Sequence, residues 1–275
     1  MARHQKDILE SGLRIVSQQL PNSESVSILI SVQAGSRNEQ KGQYGVAHFA
    51  EHMLFKGTGK RPSPLLVSSP IESTGGFLNA STGYESTNYW CKVPENHFRT
   101  GIEILQDMMQ NSLLNEEEIN SERRVIIEEI KTIEDYPDSK TALNLDKLMW
   151  PDSALGRDIA GSIQSVENIN QETIRAFLDD FYLPTNTVIS IAGNLDHDKS
   201  IQSIDQLFLT HPFPGSQLKI SPIENVQNSV KLDLEKRAIE QIHIHLGYPG
   251  VSITHPDRYA LDLLNVILGD GMSSR

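Results

Sequence analysis

His48-Phe49-Ala50-Glu51-His52 sets two imidazoles four residues apart with a carboxylate just before the second. At roughly 100° per residue, Glu51 falls about 60° to one side of His48 and His52 about 40° to the other, so all three project from one arc of a helix. The surrounding residues, Gly45-Val46-Ala47 and Met53-Leu54-Phe55, are apolar. Burying two imidazoles and a carboxylate there costs several kcal/mol unless they are paired or bound to metal. Zinc meets that cost, since two neutral histidine nitrogens can share one ion while Glu51 reaches a bound water.

Such a zinc site is still one protein ligand short. NEEEINSERRVIIEEIKTIEDY reads as a long helix with acidic first turns, which suits the helix dipole. Its apolar stripe is Ile119, Ile126, Ile130 and Ile133, and Glu122 and Glu129, seven apart and nearly eclipsed, both border that stripe. Glu128 points about 180° from Ile119, toward solvent. Either Glu129 or Glu122 can therefore enter a buried site, while Glu116 to Glu118 belong to a solvated face.

The elements that must hold these residues are those of an α+β chain, a two-layer arrangement with helices covering a largely antiparallel sheet. DILESGLRIVSQQL and SVSILISVQAGS read as strands joined as a hairpin at Pro21-Asn22-Ser23. A helix buried on nearly every side follows, ending at Gly57. GGFLNAST and STNYWCKV form a second strand pair around Gly83-Tyr84-Glu85. Residues 95–111 read as an amphipathic helix. Further helices fall near 139–149, 171–181 and 197–208, with the strand TVISIAG before the last.

The segment 210–226, with three prolines and a glycine and no periodicity, marks a linker. Beyond it EQIHIHLGYPGVSITHPDRYALDLLNVILGDG repeats the order strand, loop, helix, glycine seen near the start, a weak internal duplication. We therefore expect a first half-domain over 1–215 that carries the metal site, a linker over 216–227, and the start of a duplicated second half over 228–275, incomplete where the chain stops. SVKLDLEKR and EQIHIHLGY are its expected strands. His243 and His245 alternate on one strand face with no third ligand nearby. Cys91 reads as a core residue, and His97, His197, His211 and His255 as solvated.

Composition narrows the function. Of 275 residues 38% are hydrophobic and 22% charged, which excludes a disordered chain. One cysteine excludes an intrachain disulfide or a cysteine-based zinc ribbon, so any metal sits on histidine and carboxylate. The net charge of −12 argues against nucleic acid and suits basic peptides. No stretch approaches the roughly 18 apolar residues of a membrane helix, and MARHQKDILESG lacks the apolar core of a signal peptide, so no membrane partner and a cytoplasmic location are expected.

HFAEHMLFKGT, GGFLNAST and ERRVIIEEI together resemble the inverted-motif zinc metallopeptidases of the pitrilysin and mitochondrial processing peptidase family, in its bacterial processing-peptidase-like branch. The resemblance covers essentially the whole chain. In that family 76 residues separate the second histidine from the third ligand, and here 76 separate His52 from Glu129. The resemblance implies His48, His52 and Glu129 as ligands of one zinc per chain and Glu51 as the base that activates the zinc-bound water. It implies Glu122 as the catalytic-site carboxylate that orients a ligand histidine. Asn79 and Ala80 match the edge strand along which the family lays an extended peptide, which that edge can bind through backbone hydrogen bonds.

The function so implied is a zinc metalloendopeptidase acting on short or unfolded peptides. A homodimer or a related subunit is a possible further partner. The alternative is a catalytically silent peptide-binding or scaffolding subunit of the same fold, or an inactive truncated fragment. One departure from the family concerns Ser68-Ser69-Pro70, which is expected to break or shorten a helix that relatives run smoothly.

Overall fold

A computed structural model describes residues 4–208, 227 and 229–274. Strands β1 (His4–Ile8), β2 (Arg14–Gln19) and β3 (Ser25–Val32) open the chain, and helices α1 (Val46–Leu54) and α2 (Pro64–Glu72) follow. The hairpin β4 (Phe77–Thr82) and β5 (Thr87–Pro94) comes next, then α3 (Phe98–Asn111), α4 (Glu116–Asp135), α5 (Pro137–Met149), α6 (Ile163–Asn168) and α7 (Gln171–Phe181). Strand β6 (Thr187–Gly193), α8 (His197–Phe208) and α9 (Arg258–Gly269) complete the described elements.

The six strands form one sheet in the order β1-β2-β6-β3-β5-β4. Only β2 and β6 pair in parallel. Strands β2 and β3 therefore do not form the expected hairpin across Pro21–Ser23. Instead β6 lies between them, because its alternating Thr187, Ile189 and Ile191 are buried and belong at the sheet's centre. The opening hairpin is β1 with β2, turning at Gly12, whose φ of 85° favours glycine.

Period-two alternation builds the core. Ile28, Ile30, Tyr89, Cys91, Ile189 and Ile191 share the buried face of the sheet with Ala80 and Thr82 of β4, and α1, α2, α3 and α8 pack against the sheet. Gly101 of α3 lies directly over Cys91 and Ile28. The result is the two-layer α+β architecture expected from the sequence.

Helix α2 runs unbroken through Pro70 to Glu72. Ser63 caps it by accepting from the Leu66 N–H, and Pro64 occupies the first turn, where a missing N–H costs nothing. Pro70 falls in the last turn, where it removes one helical hydrogen bond and leaves the Ser73 N–H bonded to the Ser69 carbonyl. That is why the expected break is absent.

In the second part of the chain the expected helix is present as α9, but SVKLDLEKR and EQIHIHLGY form no strand among the described residues. A strand needs a ladder partner, and among the described residues these two segments pair neither with each other nor with the edges β1 and β4. The linker expected at 216–227 lies almost wholly outside the described residues. No helix among the described residues is long and apolar enough to cross a membrane.

Candidate metal centre and active site

Helix α1 begins at Gly45, whose φ of 93° turns the chain into the helix and whose missing Cβ lets it pass the Ala160 carbonyl. Glu39 accepts hydrogen bonds from the Gly45 and Ala47 N–H groups at 3.0 Å each, which satisfies two open donors of the first turn. The apolar residues Val46, Ala47, Phe49, Ala50, Met53 and Leu54 sink α1 into the core. His48, Glu51 and His52 occupy what remains, half-buried beside α4 and β4.

Helix α4 crosses α1 on its Ile119, Ile126 and Ile130 face. That places Glu122 and Glu129 at the two histidines, while Glu128 points outward, 70% exposed and ion-paired with Lys131. The Nε2 atoms of His48 and His52 stand 3.2 Å apart, and Glu129 Oε2 lies 4.0 Å from the first and 3.7 Å from the second. Among the described residues these three form the group whose donor atoms lie within 4.8 Å of one another. Ligands bound tetrahedrally to one zinc at 2.0–2.1 Å stand about 3.3 Å apart, so the donor set and spacing fit that ion.

The protonation of the two histidines differs. Burial, and then the neighbouring His52, hold His48 down to about 4, so it is neutral and able to donate a lone pair. Its Nδ1 is buried without a partner among the described residues. Burial disfavours the charged form of His52, but its hydrogen bond to Glu122 and the charges of Glu129, Glu122 and Glu51 outweigh that and raise its pKa. Because a carboxylate only accepts, His52 Nδ1–H donates to Glu122 Oε2 at 3.0 Å, leaving Nε2 to face the centre. Glu122 is only 5% exposed, and its other oxygen receives Lys56 Nζ at 2.6 Å. Burial opposes its charge, yet His52 and Lys56 hold its pKa below the ordinary value.

Glu51 is set apart from the donors. The Thr82 hydroxyl donates to Glu51 Oε2, and burial raises the pKa of this carboxyl against that bond. Thr82 ends β4, the outermost strand, which also carries exposed Asn79 and half-buried Ala80. Asn79 Oδ1 accepts the Ala80 N–H at 2.8 Å.

Thr82 and Lys56 are functional candidates that the sequence reading does not single out. Lys56 follows His52 by one helical turn, a spacing that could have flagged it. Nothing local flags Thr82, whose role depends on the approach of α1 to the sheet edge. His197, expected to be solvated, is instead almost buried. Its Nδ1 lies 2.5 Å from Ser17 Oγ and its Nε2 2.7 Å from Asp7 Oδ2, tying α8 to the first two strands. His243 and His245 lie 3.7 and 3.1 Å from Asp138 on α5, away from any strand.

The model for Insulinase (Peptidase family M16) matches residues 14–162, and that for the Peptidase M16 inactive domain matches residues 168–275. A zinc protease of Streptomyces coelicolor is 37% identical over 272 residues, covering 97% of this chain and 59% of that protein. The mitochondrial-processing peptidase subunit beta of Dictyostelium discoideum is 31% identical over 264 residues, covering 95% of this chain and 56% of that subunit. A protease from Helicobacter pylori of known structure superposes with a TM-score of 0.84 at 26% identity, over 99% of this chain and 67% of the other. The chain belongs to peptidase family M16, in an α+β fold shared with M16-like peptidases. It spans about 60% of the length of such relatives.

Proposed function

We propose that this chain carries the zinc-binding part of a metalloendopeptidase that hydrolyses short or unfolded peptides. The observation that carries the reading is the convergence of His48 Nε2, His52 Nε2 and a Glu129 oxygen from two helices on one point. His48, His52 and Glu129 would hold one zinc. When bound, zinc supplies a Lewis acid for the scissile carbonyl and lowers the pKa of water toward about 7.

The protein's own groups supply the rest. Thr82 engages Glu51 Oε2 and leaves Oε1 to take the proton of the attacking water. The water oxygen bonds to the carbonyl carbon, Glu51 passes the proton to the amide nitrogen, and the C–N bond breaks. Burial, by raising the pKa of Glu51, lets it keep that proton long enough to deliver it. The edge of β4 can offer backbone groups to an extended peptide of any sequence once the Ala80 N–H is released from Asn79 Oδ1, and its last residue, Thr82, adjoins the base. The intact set of His48, Glu51, His52 and Glu129 argues against a silent scaffolding subunit.

The test is Glu51→Gln in a polypeptide extended to the length of the relatives. Peptide hydrolysis should fall by at least about 100-fold with zinc content unchanged, since a base and no ligand is lost. Activity within about tenfold of the parent would contradict the role of Glu51.

A further inference from the structure

We propose that Lys56 is a positioning residue for the metal site: by gripping Glu122 Oε1 it keeps Oε2 on His52 Nδ1, which fixes the tautomer that frees His52 Nε2 for a metal ion. The inference rests on the reading of His52 as a zinc ligand.

A neutral imidazole carries its proton on either nitrogen, and the acceptor at one nitrogen selects the form. For His52 that acceptor is Glu122 Oε2 at 3.0 Å. The terminal torsion of a glutamate is broad, so a carboxylate held at one oxygen alone can swing away from its partner. Lys56 removes that freedom. Its Nζ stands 2.6 Å from Oε1, opposite the oxygen that faces His52.

The fold fixes Lys56 in turn. Its N–H bonds to the Met53 carbonyl at 3.1 Å, so the backbone is held by the last turn of the helix that bears both histidines. Gly57, with a φ of 131°, then turns the chain away past Pro62 and Ser63. Of the two other cations on that loop, Lys60 is exposed and Arg61 is already engaged by buried Asp107 at 2.5 Å. Lys56 is thus the cation of this segment aimed at Glu122. One ammonium, one carboxylate and one imidazole form a chain from the end of α1 through α4 and back to α1.

Two measurements test this on the 275-residue chain. The first is the His52 tautomer in metal-free protein by imidazole nitrogen NMR, at a pH where the spectrum itself shows the ring to be neutral. The second is the zinc Kd by chelator competition. Lys56→Met should shift the His52 proton from Nδ1 toward Nε2 and raise the zinc Kd about tenfold, the lower end for loss of an outer-shell partner. Lys56→Arg should keep the Nδ1–H form and a Kd within about threefold of the parent. If the Met variant does not fold, Lys56→Gln carries the same expectation. A folded Met or Gln variant with parental tautomer and parental Kd would overturn the proposal. Failure of the parent to bind zinc would overturn the ligand assignment instead, while the tautomer would still report on Lys56.

Discussion

Glu51 and Thr82 share a hydrogen bond although one belongs to the metal-site helix and the other to the outermost strand. In the proposed reading of Glu51 as the base, this bond aligns it with whatever lies along that strand. Thr82→Val keeps the shape of the side chain and removes the donor, so peptide turnover should drop about tenfold while zinc affinity stays within about twofold. Equal losses in turnover and zinc affinity would show that Thr82 supports the fold of the site and not the base. At this scale the sequence was most legible where chemistry is local. His48, Glu51 and His52 follow from helical periodicity alone, and the same periodicity excludes Glu128. It leaves Glu122 and Glu129 open, because both border one apolar stripe; the crossing of α1 and α4 gives them different partners. Thr82 and Lys56 gain their partners from tertiary approach, which no short-range pattern encodes.

Helix α1 is positioned chiefly at its first turn, where Glu39, Gly45, Ala160 and Gly161 crowd together. A Cβ on Gly45 would stand 2.4 Å from the Ala160 carbonyl oxygen at a φ of 93°, so Gly45→Ala should cost about 1–3 kcal/mol, read as a lower urea midpoint at constant m. Glu39 gives a pH signature. Burial pushes its pKa up to about 8 against the hydrogen bonds from Ala47 and Gly45 and the charge of Arg157. Its unfolded value is about 4.5, so this group's contribution is fully present below pH 4.5, declines as pH rises and is lost above about 8. Glu39→Gln accepts the same two N–H groups without titrating. Between pH 5 and 8 the melting temperature of the variant should therefore rise by a few degrees relative to the parent. A constant difference across that range would contradict the burial argument. Elements were readable from sequence where periodicity is strong, as in α4, α7 and the β4–β5 hairpin. The insertion of β6 between β2 and β3 was not, because strand order is decided by which apolar strand the whole sheet must cover.

Across the whole molecule, burial is uneven. The sheet and its helices hold His48, Glu51 and His52 half-buried, whereas residues 229–274 expose Leu232 at 85% and also Val230, Ile242, Ile244, Leu246 and much of α9. Amide exchange after residue 229 should accordingly be much faster than in residues 46–54, since few buried contacts hold the segment. Protection equal to that of α1 in a verified monomer would contradict this. The duplication read from the sequence is represented among the described residues by α9 alone, because expected strands without ladder partners leave no trace in the structure. The proposed activity depends on one metal centre closed by a specific residue of α4. The most direct test is zinc analysis of the purified parent chain beside Glu129→Gln and Glu128→Gln. About one zinc per chain is expected in the parent and in Glu128→Gln, and a weakening of affinity by at least about tenfold in Glu129→Gln. Equal loss in both variants, or none in either, would contradict it.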